Sequence, residues 1–215
     1  MTASSNWHKF VLSIFTLSTL LFFSSNNSYA GNTGAYFTGF GGVALLEASE
    51  IDAFGVPTGI EVRTNLGWDA GGEIGYDAGV FRLGFEMTFQ NNSLDEITGV
   101  SPNISVDGDI YALSYMLKAY LDLENSSNFT PYFGGGVGFA TLFFDDPDNV
   151  GGPLDNDQTL LAFKISVGTA YEMTPKVHLL LGYDMFATES MESNDKSLAG
   201  GFLSHNLNVG ARFYF

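Results

Sequence analysis

A chain of 215 residues with no cysteine and a net charge of −16 excludes a disulfide framework and thiolate chemistry. It also offers phosphate groups no cluster of cations, so nucleic acid is not an expected partner. Charged residues make up only 15%, while Gly (26), Phe (20) and Tyr (10) are abundant, a balance unusual for a water-soluble domain.

The N-terminal stretch "HKFVLSIFTLSTLLFFSSNNSYA" has a weakly basic start at His8 and Lys9, an apolar run from Phe10 to Phe23, and a polar tail ending Ser28-Tyr29-Ala30. The run falls short of the roughly 20 residues a spanning helix needs. Small residues stand at the −3 and −1 positions of a cleavage site. Residues 1–30 therefore read as a secretory signal peptide, cut after Ala30, with 31–215 as the folded domain.

From Gly31 onward the repeating unit is an alternating strand bounded by turn residues. Eight are predicted, at 34–46, 65–77, 80–90, 109–123, 130–143, 159–172, 177–187 and 201–215. Each is long enough to cross a hydrocarbon layer as a tilted strand, which takes about 9–11 residues. Strands two and three are joined at Ala78-Gly79, four and five by "ENSSNF", and six and seven by "MTPK". The other connections, 47–64, 91–108, 144–158 and 188–200, are long and acidic or polar. Short turns at one end and long loops at the other are the layout of an outer-membrane barrel.

The two faces of the strands separate that reading from a soluble barrel with an apolar interior. Phe81, Leu83, Phe85, Met87 and Phe89 oppose Arg82, Glu86, Thr88 and Gln90. Leu161, Phe163, Ile165 and Val167 oppose Lys164, Ser166 and Gly168. One face is bulky and nearly free of charge; the other collects charges and glycines. Lipid accommodates the first face, and a closed lumen accommodates the second. The expected fold is all-β, an eight-stranded antiparallel transmembrane up-and-down β-barrel. In "PYFGGGVGFA", Gly134, Gly136 and Gly138 fall inward, making room in a lumen only just wide enough for side chains. They do not form a phosphate loop, which needs a different spacing.

With "PYFGGGVGFA", "LGYDMFA" and the closing "LNVGARFYF" in this order, the chain resembles the opacity-protein/OmpA-type eight-stranded outer-membrane β-barrels of Gram-negative bacteria. The resemblance covers the whole chain after the leader. It implies insertion from the periplasm with both termini on that side, a filled or very narrow lumen, and loops displayed outside the cell. It implies that Phe213 and Phe215, in the last strand, are the signal read by the barrel-assembly machinery. Some relatives add a peptidoglycan-binding domain; none follows Phe215, so a wall-anchoring role is not expected.

The inward charges are Asp69, Glu73, Arg82, Glu86, Lys118, Asp122, Lys164, Glu172, Asp184 and Arg212. Arg82, Lys118, Lys164 and Arg212 are expected to pair with the carboxylates, because an unpaired charge in a dry lumen is costly. Glu73, Arg82, Glu86, Lys118, Lys164, Glu172 and Arg212 are the candidate lumen network. The same groups could instead line a narrow porin-like channel. An enzyme acting on lipid A would need Ser and His on one face, but Ser204 and His205 are adjacent and point oppositely, so no catalytic residue is assigned. The segment 143–157, "FFDDPDNVGGPLDND", carries oxygen ligands that suit calcium without the twelve-residue calcium-loop pattern; it reads as a solvated loop, and no metal or cofactor is assigned. Tyr36, Trp68, Tyr76, Tyr132, Tyr171, Tyr183, Phe213 and Phe215 are expected on or near strand ends or outward faces, where many could form the interfacial girdles. The expected role is structural or surface-interacting, adhesin- or antigen-like, in a monomer surrounded by outer-membrane lipid and lipopolysaccharide, with any host or surface ligand held at the loops.

Overall fold

The computed structural model contains strands and turns only among its described residues, as a two-residue alternation of apolar and polar side chains requires. It describes residues 33–47, 49–53, 56–98, 104–105, 109–145, 158–189, 191–192, 198–200 and 202–215. The expected leader and most of the acidic 143–157 segment lie outside them.

Eight strands form the wall: β1 (Gly34–Leu46), β2 (Gly67–Asp77), β3 (Phe81–Thr98), β4 (Asp109–Asp122), β5 (Phe129–Asp145), β6 (Gln158–Thr174), β7 (Val177–Thr188) and β8 (Leu203–Tyr214). Each pairs antiparallel with its neighbour in the chain. β8 then pairs with β1, from Tyr36↔Tyr214 to Leu46↔Ser204. This seam closes the barrel and removes both sheet edges. At the short-turn end, Gly79 takes a positive φ of 94°, a conformation that favours glycine. Its N–H donates to the Asp77 carboxylate at 2.8 Å, and Ala78 N–H donates to the Phe81 carbonyl at 2.9 Å.

The eight predicted strands are all present, but the expected connections at the other end are not plain loops. β3 and β5 run on to Thr98 and Asp145, past the expected ends at 90 and 143. Five short strands sit in the segments expected to be loops: Ser49–Ala53, Val56–Thr64, Ile104–Ser105, Met191–Glu192 and Leu198–Gly200. They pair in series with one another and with the far end of β3, building a second small sheet on the rim. Gly55, Pro57 and Gly59 punctuate the first of these segments and hide its strand pattern, since both residue types weaken a strand reading.

The two faces are arranged as the sequence alternation requires. Leu117, Val209 and Ile74 are 66%, 63% and 61% exposed on the outside, whereas Arg82, Glu86 and Lys118 are sealed inside. Such an apolar belt is stable only against hydrocarbon. Two girdle assignments are corrected. Trp68, Tyr76, Tyr171, Phe213 and Phe215 are exposed on the outer surface, but Tyr36 is buried and Tyr132 lines the lumen. Glycine explains the first: a Cβ on Gly75 would meet the Tyr36 ring at 2.5 Å, so the ring occupies the space that side chain would fill. Tyr132 is accommodated in the same way beside Gly168 and Gly182.

The lumen is not polar throughout. Toward the long-loop end, Ile110, Ala112, Met116, Ala140, Leu142, Ala162, Phe186 and Phe202 pack together on the β4–β7 side. Phe186 and Phe202 meet edge to face, with centroids 5.8 Å apart. This apolar cork forms where strands continue toward the rim, and there the interior packs like an ordinary sandwich core.

Candidate functional site

The lumen gathers nearly every candidate residue, because alternation on eight strands sends them to one axis. Facing glycines admit the long ones. Tyr120, Lys118 and Met116 of β4 lie directly across from Gly134, Gly136 and Gly138 of β5, so each large side chain projects over a residue that has none.

Nearest the short turns, Arg82 donates to both Asp122 oxygens, from Nε at 2.7 Å and Nη2 at 3.0 Å. Its guanidinium is flanked by three tyrosine rings, with centroids at 4.2 Å (Tyr120), 5.3 Å (Tyr132) and 5.7 Å (Tyr36). A planar cation suits both the fork and the ring faces. In the middle, Glu86 accepts from Lys118 at 2.8 Å and from Lys164 at 2.6 Å. Lys118 lies 3.7 Å from Asp184 as well, and Asp184 also accepts from Ser166 and Asn208. On the β8 side, Asn206 and Asn208 donate to Asp69 at 2.8 and 3.2 Å. Asn206 also donates to Gln90 at 3.0 Å, and Gln90 donates to Asn92 at 2.7 Å.

Three of the seven candidates depart from simple ion pairing. Glu73 accepts from two phenols, Tyr36 at 2.7 Å and Tyr120 at 2.6 Å, rather than from a cation. Arg212 makes no ion pair among the described residues; it donates to the Tyr214 hydroxyl at 3.3 Å, which donates on to Asp77 at 2.7 Å. Its guanidinium also lies 5.1 Å from the Tyr36 ring centroid. Glu172 stays half-exposed near the short-turn end and outside the described network. It lies directly across from the buried His178, where the pairing of β6 with β7 shifts register close to the short turn. The candidate network, drawn from charged residues, omits Tyr36, Tyr120, Tyr132 and Tyr214 and the amides Asn206 and Asn208. Alternation with outward residues places all six inward; Tyr36 and Tyr132 suit a girdle by composition, and the other four share the polar face but carry no charge.

Ser204 and His205 do point oppositely. Ser204 is buried and bonded to Gln90 at 2.9 Å and to Asn206. His205 lies on the outer wall between the Tyr183 hydroxyl and Glu47, whose carboxylate is 2.9 Å away.

The barrel can be set beside known proteins. The family model for the outer membrane protein β-barrel domain matches residues 15–215. Among curated proteins, a Rickettsia prowazekii (strain Madrid E) protein named as a candidate adhesin, RP828, is 27% identical over 121 residues. That alignment takes in 52% of this chain and 54% of the relative, so the chain spans about half the relative's length. The crystal structure of OprG from Pseudomonas aeruginosa superposes with a TM-score of 0.59 at 16% identity, over 87% of this chain and 100% of that one. Neisserial surface protein A superposes at 0.54 and 20% identity, over 85% of this chain and 99% of that one. These two likenesses concern the fold. With the family matched along almost its entire length, the chain belongs to the outer membrane protein β-barrel family and resides in the outer membrane as a closed eight-stranded barrel.

Proposed function

We propose that this barrel is a sealed outer-membrane scaffold with a structural or surface-interaction role, presenting its acidic loops to a host or surface ligand in the manner of an adhesin. The observation that carries the reading is the filled lumen: two cavities among the described residues are about 40 Å³ each, room for a few waters and not for a hydrated ion path. A wall without a path leaves the rim as the working surface. The partial similarity to a candidate adhesin of Rickettsia prowazekii supports the same reading. The chain is taken to be exported by a cleaved leader, residues 1–30, and to sit as a monomer among lipopolysaccharide and phospholipid.

Expression in a non-adherent Gram-negative host is expected to confer binding to cultured epithelial cells. Deleting residues 146–157, "DPDNVGGPLDND", should remove most of that binding while the unboiled protein still migrates as a folded barrel on detergent gels. Equal adhesion with and without the segment would take it out of the binding surface. Planar-bilayer recordings should show no stable open channel; large, steady conductance would replace the scaffold by a pore.

Assembly through the last strand is part of the proposal. Phe213 faces outward, and Phe215 is 82% exposed, held by one backbone bond to the Ala35 carbonyl at 3.2 Å. Deleting Phe215 should reduce the amount of inserted barrel in cells. The unfolding free energy of refolded protein should change by no more than about 0.5 kcal/mol, as for other surface changes. Normal insertion of the shortened chain would remove Phe215 from the signal.

A further inference from the structure

We propose that the lumen contains a bound-water site on the inner side of the β1–β8 seam, and that this water joins two hydrogen-bonded chains into one spine across the membrane. The site is a cavity of about 40 Å³ walled by Thr38, Asn208 and Arg212 from the seam, by Glu73 and Asp184 from the strands that flank it, and by Lys118 of β4. Thr38 and Arg212 are direct cross-strand partners. Asn208 and Arg212 flank Gly210, whose missing side chain leaves space at the seam.

Three atoms on these seam residues have no protein partner among the described residues: Thr38 Oγ1, Asn208 Oδ1 and Arg212 Nε. All three residues are at least nine-tenths buried, at 4%, 5% and 3% exposure. Buried polar atoms left without partners are rare in folded proteins, and ordered water is their usual partner. Here an amide oxygen that only accepts, an N–H that only donates and a hydroxyl that can do either line one cavity. A metal cation would suit the acceptors alone and would lie against Lys118 and Arg212. An anion would suit Arg212 and the Thr38 hydroxyl but not Asn208 Oδ1, and would lie against Glu73, Glu86 and Asp184, which also line the space. Water donates to oxygen and accepts from Nε–H, so it answers all three needs. The volume holds on the order of three waters, at roughly 10–15 Å³ each.

Two chains of side-chain bonds end at this cavity. One runs from Asp77 through Tyr214 to Arg212. The other runs from Asn208 through Asp69 and Asn206 to Gln90 and Asn92, which donates to the Ala44 carbonyl. Water between Arg212 and Asn208 makes them continuous. A second cavity of about 40 Å³, lined by Asp77, His178 and Tyr214, also has Arg212 in its wall. Of the four lumen cations, Arg212 is the one without a carboxylate partner among the described residues, so it is the least tethered, and water enters past it from the periplasmic side.

The test uses the full barrel, isotope-labelled and folded into phospholipid nanodiscs. Water-selective NMR transfer should give cross-peaks at Arg212 Nε–H and at the Thr38 methyl, with the sign of long-lived bound water. Asn208→Leu, which fills the cavity, should reduce the Arg212 cross-peak to baseline. Thr38→Val should remove one acceptor with little change in volume and leave the Arg212 cross-peak in place. Absence of water transfer to Arg212 Nε–H in the unsubstituted barrel would overturn the proposal, whatever the variants do. So would an anomalous-scattering peak in the cavity from crystals soaked in bromide or rubidium, which would make the occupant an ion.

Discussion

Glu86→Ala is expected to lower the unfolding free energy by on the order of 3–5 kcal/mol, the range for removing one partner of a buried pair. Glu86 is 2% exposed and accepts from two lysines that are equally sealed. Lys118 would keep Asp184 at 3.7 Å. Lys164 has no other carboxylate among the described ion pairs and would keep only the Phe186 ring face at 5.3 Å. Urea titration of protein refolded in lipid vesicles measures the loss, with Trp68 on the outer face as the fluorescent reporter. The quadruple change Glu86→Leu, Lys118→Met, Lys164→Met and Asp184→Asn, which also removes the carboxylate Lys118 faces, should recover most of it, because an apolar group of similar volume is often as stable as a buried pair. An unchanged midpoint in Glu86→Ala alone would mean that the lysines do not depend on Glu86.

The second large effect comes from adding a single methyl group. Gly138→Ala should cost about 3 kcal/mol, the upper end of overpacking, whereas Gly135→Ala, three residues away on the opposite face of β5, should be neutral or slightly stabilising. At Gly138 the new Cβ would lie 1.9 Å from the Tyr115 carbonyl oxygen and 2.8 Å from Met116 Cα, both backbone atoms that can move only with their strand. At Gly135 the nearest atom is the Lys164 carbonyl oxygen at 3.6 Å, an ordinary contact. The fraction of each variant that refolds into vesicles, read from migration before and after boiling, separates the two. Equal refolding of both would mean that the inward glycines of "FGGGVG" do not set the spacing between β4 and β5.

How far the sequence carries the fold depends on the local physics. The eight wall strands were legible because each keeps a bulky apolar outward face, and a one-residue slip would put Arg82 or Lys118 into lipid. The rim strands were not, because Ser49–Ala53 and Leu198–Gly200 are short and lie among turn-forming residues, where alternation over so few positions resembles chance. Within the site, Arg82, Glu86, Lys118 and Lys164 were visible as charges on the inward face. The partners of Glu73 and Arg212 were not. Tyrosine suits an interfacial girdle and a lumen equally well by composition, and the pairing across the seam sets Tyr36 and Tyr214 side by side on the inward face. The amide chain through Asn206 and Asn208 is a product of three-dimensional closure. Its partners, Asp69 and Gln90, lie more than a hundred positions away in the sequence.

The unequal lengths of the wall strands carry a consequence for reach. β3 has 18 residues and β5 has 17, against 11 in β2. At about 3.4 Å per residue and a tilt of about 40°, a strand as long as β3 rises on the order of 45 Å, while the hydrocarbon band needs only about 25 Å. Roughly 20 Å of backbone-paired sheet on that flank therefore stands proud of the bilayer. Under the proposed surface role, a ligand held there would be lifted clear of the headgroups on a ladder of hydrogen bonds, its height fixed by strand length rather than by the average extension of a tether.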